Sequence, residues 1–583
     1  MTPTPPAPGV SNRSALAWLA LAVVWVVLTR VPLVMNAGTH LDSDLAVDGL
    51  TLLDAVNGHW RWHYPATPFI GIIPVGLSWL QALIWGANPI TLVSGGVVAY
   101  GLVVLATFAM NRRAFGPSVA SWGLVPLVFG STGAIWLSGR ITGGHLMAAA
   151  WHAGAFALLA ETLKRGGWAR SAGLGLCCGL GLYLDSMFLV SLSGVIVAAS
   201  LGWWWSGASV RGFAFVLAFG LAMGLGVTPR LVGERVDPHD AYRGQLEPDT
   251  RAESILRNAR ILATDCLPRL VAGHRLPGFE SEPDPASLPG GSRAVKDKGL
   301  PWFGLLVAVG SLSMFLGSMI ALVFVNVTPS PPVGEGRGAG ASDQERTNGL
   351  SKLQVRPRPP LPNPPPRVGR EPDLQDSNSD PVARAIRWGL LASMAATLAG
   401  FLVNRTITNS DNYRYLVTWL VPWSTGFGLM MTRIARQKST GRWLAGPMTL
   451  GLAVLMTLDT ARWYSGFGWI DSKGLPVRKV VEDQALAWLE AHPEVTSIFG
   501  DYWDVYRLSF LTGGRVRGVP FPEYPERFPE IARSLPGGRP EFLIVRPGPV
   551  GPSYRARALS EGGREVERRG GLVIVQWPKG ATP

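Results

Sequence analysis

Long apolar runs without charges in their centres recur along this chain, and they constrain its fold more than any other feature. The run 88–110, NPITLVSGGVVAYGLVVLATFAM, is the clearest example. A helix needs roughly 20 such residues to cross a hydrocarbon layer about 30 Å thick. Because 47% of the 583 residues are hydrophobic and 16% are charged, the apolar surface exceeds what a soluble core of this size buries. The sequence therefore predicts a multi-spanning membrane protein.

We predict about eleven membrane-spanning helices from these runs. They are 14–35, 88–110, 118–137, 144–163, 171–184, 186–204, 211–228, 302–327, 387–403, 415–432 and 443–460. The apolar segment 69–86 is predicted to be a shallow or re-entrant outer helix, because counting it as a crossing would place Arg112 and Arg113 on the outer face.

The net charge of +13 is carried by loops, which does not favour a nucleic-acid-binding surface. With the N-terminus in the cytoplasm, basic residues gather in the cytoplasmic connections: Arg112, Arg113, Lys164, Arg165, Arg170, Arg211, Arg433, Arg436, Lys438 and Arg442. The short loops on the other side are poor in Lys and Arg, as expected of outer loops. An odd number of crossings then places the C-terminal end outside the cell.

The chain is predicted to divide into five regions. These are a cytoplasmic tail 1–13, a membrane module 14–327 with outer loops 36–87 and 229–300, a disordered Pro-rich cytoplasmic linker 328–382, membrane helices 383–460, and a soluble extracytoplasmic domain 461–583. Strands alternate with helices in the last region, which predicts a small α/β domain. The fold class is therefore mainly α, a helical membrane bundle with this domain attached.

An acidic stretch directly follows the first span, in HLDSDLAVDGLTLLDAVNGHWRWHYPATPFIG, residues 40–71. Each carboxylate would cost roughly 2.5–3.5 kcal/mol at a bilayer centre, so all are expected in water or a polar cavity. Asp42 or Ser43 can cap a helix, which places Asp44 in its first turn, where the helix dipole favours the ionised form. On these residues alone, the alternative is a solvated acidic loop ending in a capped helix.

Two basic residues at outer helix ends are candidate anion ligands. Arg140, in SGRITGGH (138–145), is the charged residue of its loop and can grip a phosphate, although a snorkelling arginine is an equal alternative. Arg414 lies between two tyrosines in TNSDNYRYL (408–416), where an aromatic belt with an anchoring arginine is the alternative. His145 and His152 lie seven positions apart in the chain. For such a pair, packing in the protein interior is a commoner explanation than metal binding.

Taken in series, these motifs resemble bacterial GT-C glycosyltransferases. The series comprises the acidic pair, the aromatic loop Tyr64–Gly71, NRRAFG (111–116), SGRITGGH, GLGLCCGLGLYLDSMFL (173–189) and DNYRYL (411–416). The likeness is greatest to the dolichyl-phosphate-mannose-protein mannosyltransferase-like group and its lipopolysaccharide-modifying relatives, and it covers most of residues 14–460. GDYWDVYRLSFLTGGRVRGVPF (500–521) is similar to the tails of that group, where it has an acceptor or structural role.

The resemblance implies an inverting hexosyl- or pentosyltransferase that uses a polyprenyl-phosphate-linked sugar at the outer face of a bacterial inner membrane. Carried onto this chain, it assigns the base to Asp44, with Asp42 as the substitute. Donor-phosphate binding falls to Arg140 and Arg414, and possible substrate binding to His145, His63 and Tyr64. The acceptor is expected to be a lipid, glycan or protein.

Two alternatives come from other functional classes, a transporter and a non-catalytic membrane scaffold. Spans nearly free of central charge count against transport. A scaffold would tolerate loss of Asp42 and Asp44. No cofactor is expected; a divalent metal shared by those two carboxylates is possible but not indicated.

Overall fold

The computed structural model describes residues 11–206, 212–240, 247–274, 301–325, 380–437, 440–535, 540–547 and 550–577. The predicted disordered linker 328–382 lies outside these residues except at its last three positions. Residues 1–10 of the predicted tail and parts of the predicted outer loop 229–300 also lie outside them.

Helices make up most of the membrane part. In chain order they are α1 (Asn12–Met35), α2 (Ser43–Val56), α3 (Ile73–Trp85), α4 (Pro89–Phe115), α5 (Pro117–Gly123), α6 (Val125–Val128), α7 (Thr132–Leu137), α8 (Leu146–Arg165), α9 (Trp168–Leu184), α10 (Phe188–Ser206), α11 (Gly212–Val236), α12 (Ala252–Ile261), α13 (Leu267–Ala272), α14 (Pro301–Phe324), α15 (Pro381–Val403), α16 (Leu420–Arg436) and α17 (Thr440–Phe467). A π-helical turn, Leu262–Cys266, joins α12 to α13, and a 3₁₀ helix, Ser410–Trp419, precedes α16. Strands β1 (His63–Tyr64) and β2 (Thr67–Gly71) form a small antiparallel hairpin before α3.

Eight of the described helices, α1, α4, α8, α10, α11, α14, α15 and α17, are long and apolar enough to cross a membrane. Helices α9 and α16 are also apolar and have 17 residues each. The predicted span 118–137 is wrong as a single helix, because it divides into α5, α6 and α7. Residues 129–131, Phe-Gly-Ser, end the second of these, and Ser131 caps the third by accepting from the Ala134 amide at 3.1 Å.

Helix α3 has 13 residues, so it is about 20 Å long and too short to cross a bilayer. This length agrees with the expectation that 69–86 does not span. Helix α17 runs on to Phe467, past the predicted domain boundary at 461, because its last aromatic residues pack on Trp469. Phe467 stacks on that indole with ring centroids 4.7 Å apart.

The glycines of α9 allow it to lie directly against α11. A Cβ atom on Gly175 would be 2.1 Å from the Phe219 carbonyl oxygen, and one on Gly179 would be 2.1 Å from that of Met223. Only a residue without a side chain permits such backbone contact. The glycine-studded motif 173–189 is therefore explained by helix packing.

The C-terminal domain contains α18 (Gln484–Ala491), β3 (Ser497–Gly500), α19 (Tyr502–Leu511), β4 (Arg517–Pro520), α20 (Pro529–Ser534), β5 (Phe542–Val545), α21 (Gly551–Ser560), β6 (Arg564–Arg569) and β7 (Leu572–Gln576). Its sheet has the strand order β4-β3-β5-β7-β6, with β3 parallel to β4 and β5, and β7 antiparallel to β5 and β6. Helix α18 begins at Gln484 because Asp483 caps it, with its side chain accepting from the Ala485 and Leu486 amides.

The domain packs on the membrane part through α2 and α19. Leu45, Ala46 and Leu50 of α2 share one buried core with Tyr506 and Phe510 of α19. The approach is close at Gly49, where a Cβ atom would be 2.6 Å from the Phe510 ring. The acidic helix after the first span is thus enclosed by the last domain of the chain.

Candidate active site

Asp42 caps α2 and fixes where that helix begins. Its Oδ1 accepts a hydrogen bond from the Leu45 amide at 2.9 Å, which satisfies one of the free amides of the first turn. The prediction that Asp42 or Ser43 caps this helix is confirmed, with Asp42 in the role. Asp44 consequently lies in the first turn, as expected.

Arg140 contacts Asp42 directly. Its Nη2 donates to Oδ2 of Asp42, and its guanidinium lies 5.4 Å from the centre of the Trp136 ring. Both oxygens of Asp42 are therefore engaged, one by the helix end and one by Arg140. No local pattern indicated this partner for Arg140, because Asp42 lies 98 positions away along the chain.

Asp44 is held from three sides and remains 26% exposed. The Tyr502 hydroxyl donates to Oδ1 at 2.7 Å. Nη1 of Arg414 is 3.9 Å from Oδ2, and Nη2 of Arg527 is 4.0 Å from Oδ1.

The electrostatic surroundings keep Asp44 ionised. Burial acts to raise the pKa of its carboxyl group, but the charges of Arg527 and Arg414 act in the opposite direction. With the hydrogen bond from Tyr502 added, the pKa lies below the ordinary value. Asp44 is thus a charged and partly exposed carboxylate at neutral pH. The guanidinium groups of Arg414 and Arg527 lie 3.9 and 4.0 Å from it, beyond hydrogen-bond distance.

Arg414 is placed by the 3₁₀ helix that precedes α16. Asn409 caps this helix by accepting from the Asp411 amide at 2.9 Å, and Asp411 pairs with Arg269 of α13 at 3.1 Å. The Arg414 guanidinium lies 5.4 Å from the Tyr415 ring centre, and the side chain is 26% exposed. Arg414 is therefore open enough for an anion to approach it.

Three segments far apart in sequence meet here. A Cβ atom on Gly143, in the SGRITGGH loop, would be 3.9 Å from Nη1 of Arg414, which in turn faces Asp44. Asp44, Arg140 and Arg414 thus lie around one region, at the end of the bundle that carries the C-terminal domain.

The other predicted site residues take supporting positions. The Tyr64 hydroxyl donates to the Asp44 carbonyl oxygen at 2.9 Å. Nδ1 of His145 is 2.6 Å from a buried carboxylate oxygen of Asp185, and its ring centre is 5.5 Å from that of Tyr415. The partners of the His63 ring are the carbonyl oxygens of Tyr64 and Asp237, both at 2.9 Å, so the imidazole faces the protein rather than the Asp44 carboxylate.

Asp48, one turn after Asp44, is buried. Burial raises the pKa of its carboxyl group to about 8, although the Thr142 amide donates to Oδ2 at 3.4 Å. Oδ1 has no partner among the described residues. Through its contact with the Thr142 amide, Asp48 links α2 to the SGRITGGH loop.

Four contributors were not among the predicted site residues: Tyr502, Arg527, Asp185 and Asp48. Arg527 is buried, where its Nη1 donates to the Thr67 hydroxyl at 2.6 Å. The motif GDYWDVYR contains Tyr502, but its sequence offers no sign that the phenol meets residue 44. Asp185 lies within the glycine-studded motif 173–189, but neither its spacing nor its residue type indicated that it pairs with His145.

Metal binding by the site receives little support from its donor set. In the described part of the chain, no three His, Cys, Asp or Glu side chains form a group that could hold a metal ion. Arg140 also occupies the Asp42 oxygen that a shared ion would use.

Comparison with solved structures places the fold. ArnT from Cupriavidus metallidurans, in a crystal structure bound to undecaprenyl phosphate, superposes with a TM-score of 0.52 and 11% identity over 97% of this chain and 99% of ArnT. The chain has the fold of ArnT. The predicted GT-C-like fold class is confirmed by this likeness, with the helical bundle and C-terminal α/β domain.

Two further structures are similar at lower scores. The apo state of ArnT gives a TM-score of 0.46 with 13% identity over 96% of this chain and 98% of ArnT. The apo form of the Archaeoglobus fulgidus oligosaccharyltransferase gives 0.44 with 12% identity over 92% of this chain and 70% of that chain. No family model and no curated protein matches the sequence.

Proposed function

We propose that this protein is a membrane glycosyltransferase that moves a sugar from a polyprenyl-phosphate-linked donor to an acceptor. The observation that carries the proposal is an ionised, partly exposed Asp44 facing Arg414 at 3.9 Å, at one end of a helical membrane bundle. The likeness to ArnT, whose structure contains undecaprenyl phosphate, supports a lipid-phosphate donor.

The chemistry is a single displacement with inversion at the anomeric carbon. Asp44 takes the proton from an acceptor hydroxyl as its oxygen bonds to the anomeric carbon, and the bond from that carbon to the phosphate oxygen breaks. The leaving group is a lipid phosphate that gains negative charge. Arg414, which is partly exposed beside Asp44, neutralises this charge.

Arg140 takes a secondary part in this mechanism. Because it is already paired with Asp42, it supplies positive potential rather than a free fork of donors. Asp42 is correspondingly less available to an acceptor hydroxyl than Asp44, since its two oxygens already accept hydrogen bonds from Leu45 and Arg140.

Donor binding also changes the strength of the base. In the structure, Arg414 and Arg527 stabilise the charged form of Asp44 and make it a weak proton acceptor. A lipid phosphate competes with Asp44 for Arg414, which lessens that stabilisation. Asp44 thus becomes more basic when the donor is in place.

The transfer site faces the outside of a bacterial inner membrane, with the N-terminus in the cytoplasm. Support comes from the opposite ends of the helices. There Nζ of Lys164 donates to the Arg113 carbonyl oxygen and lies 3.8 Å from Oδ2 of Asp380. Basic residues also end α16, at Arg433 and Arg436. Their clustering follows the positive-inside rule.

The acceptor is a lipid, glycan or protein, and the transferred unit is a hexose or pentose. The testing experiment uses the purified full chain in liposomes, with a panel of synthetic undecaprenyl-phosphate hexoses and pentoses as donors and a membrane extract that contains lipids, glycans and proteins as acceptor. Release of undecaprenyl phosphate together with a new glycosylated product supports the proposal. Donors that all remain intact, while the protein is folded, would overturn it.

A further inference from the structure

The C-terminal domain reaches the Asp44 carboxylate with a phenol. Tyr502 is the first residue of α19, directly after the parallel strand β3, and its hydroxyl donates to Oδ1 of Asp44 at 2.7 Å. The backbone of Tyr502 also contacts α2, since the Ser43 hydroxyl donates to the Tyr502 carbonyl oxygen at 2.6 Å. Two contacts therefore fix this tyrosine against the first turn of α2.

Surrounding contacts hold the phenol ring in place. Tyr502 is buried, and its ring packs edge-on against that of Tyr506 with centroids 5.3 Å apart. Nε of Arg527 lies 3.4 Å from the Tyr502 hydroxyl oxygen. The phenol thus receives a hydrogen bond from a cation while donating one to the carboxylate.

Arg527 is itself anchored to the first outer loop. Its Nη1 donates to the Pro65 carbonyl oxygen at 3.2 Å as well as to the Thr67 hydroxyl, and its amide donates to the Tyr506 hydroxyl at 2.8 Å. The guanidinium lies 5.3 Å from the Tyr64 ring centre. The first outer loop, the C-terminal domain and α2 are consequently held together around one side of Asp44.

We propose that Tyr502 is a positioning residue of the transfer site, through which the C-terminal domain orients the Asp44 carboxylate. Rotation of that carboxylate is restricted because Oδ1 is held by the phenol. The free edge of Oδ2 then faces Arg414 and the opening, where a donor phosphate and an acceptor hydroxyl meet. This role rests on the proposed transferase function for its purpose, although the contact can be tested separately.

The first test measures the protonation of Asp44 without any substrate. A carbodiimide reacts with protonated carboxyl groups. The full chain is labelled in detergent across a pH series, and mass spectrometry of its peptides then measures the label at Asp44. Tyr502→Phe keeps the ring but removes the donated hydrogen bond, so the protonated form becomes more populated. We expect the labelling midpoint to move upward by roughly one pH unit, with about tenfold faster labelling above the midpoint.

Tyr554→Phe is the matched control, because it removes a phenol of the same domain whose hydroxyl donates to exposed Glu523 at 3.1 Å. This variant leaves the midpoint unchanged. Identical midpoints for the parent chain and Tyr502→Phe would overturn the positioning role.

Transfer assays give the second readout. Tyr502→Phe is expected to lower kcat about tenfold, with the KM for the donor little changed, whereas Tyr554→Phe alters neither. A shifted labelling midpoint with no transfer by the parent chain would reject the proposed function and retain the Tyr502–Asp44 coupling. An unshifted midpoint with full transfer by Tyr502→Phe would reject the coupling and retain the function.

Discussion

Arg414 and Asp44 face each other at 3.9 Å between Nη1 and Oδ2, too far for a direct hydrogen bond and close enough for strong electrostatic attraction. At this spacing the two side chains are not locked to each other by a hydrogen bond. A phosphate can engage the guanidinium while a hydroxyl engages the carboxylate, so the two halves of a transfer reaction meet at adjacent side chains.

Loss of the Asp44 carboxylate is the most direct prediction. Asp44→Asn keeps the size of the side chain but cannot accept a proton, so we expect sugar transfer to fall by at least about a hundredfold with normal accumulation in membranes. Asp54→Asn, near the other end of α2, removes a carboxylate paired with Arg61 and is the control. Full transfer by Asp44→Asn would exclude this residue as the base.

Arg414 is expected to act on the departing lipid phosphate. Arg414→Ala lowers kcat by about a hundredfold, while Arg414→Lys retains part of the activity because the charge persists without the planar fork. Arg405→Ala provides comparison, since Arg405 pairs with exposed Glu247 at 3.0 Å. Equal activities of the two alanine variants, measured by donor consumption, would contradict a phosphate-binding role.

Asp48 makes stability depend on pH. Its carboxyl group has a pKa of about 8 in the folded chain and about 4 when unfolded, so the folded state binds the proton more tightly between these values. The resulting stabilisation is complete below the unfolded pKa and is lost as the pH rises through about 8.

We therefore expect the difference between the thermal unfolding midpoints of Asp48→Asn and the parent, both in detergent, to shift in favour of the variant as the pH rises from 5 to about 8. Above about pH 8 this difference changes little. Asp501→Asn, in the C-terminal domain, controls for loss of one negative charge. A constant difference between Asp48→Asn and the parent across this range would show that Asp48 is ionised in the fold.

Gly49 tests how closely the C-terminal domain is docked. Gly49→Ala places a methyl group 2.6 Å from the Phe510 ring, so the helices must separate and the domain becomes easier to cleave. Limited proteolysis after Phe467, followed by gel analysis, measures this effect. Gly76→Ala, where a Cβ atom meets nothing within 4 Å, is expected to match the parent in cleavage rate.

Metal dependence is addressed by chelation. Since Arg140 occupies one oxygen of Asp42, we expect transfer to be unchanged by EDTA. Inhibition by EDTA that added Mg²⁺ or Mn²⁺ reverses would instead place a divalent ion at the site.

Local patterns predicted the membrane elements and the capped acidic helix well. The run 88–110 is long and uncharged and forms most of α4 with its N-cap Asn88, whereas 118–137 is also apolar but is broken at 129–131. Average hydrophobicity does not detect such a break, because the turn depends on a glycine and a capping serine. The cap at Asp42 was predictable since it depends on neighbours within three residues.

Contacts between distant segments were beyond the sequence patterns. Arg140 and Arg414 were predicted as anion ligands, but their pairing with Asp42 and Asp44 depends on how the helices pack. The burial that raises the pKa of Asp48 is likewise a tertiary property. Strand β6, with exposed charged residues on much of its length, lacked the apolar alternation that identifies strands.

The phenol of Tyr502 and the carboxylate of Asp44 are separated by 458 positions. During synthesis the carboxylate emerges early, yet it acquires this neighbour only after the last membrane helix has been made and the tail has folded. A chain truncated before residue 502 thus lacks this contact to Asp44. The order of synthesis itself completes the surroundings of Asp44 only late.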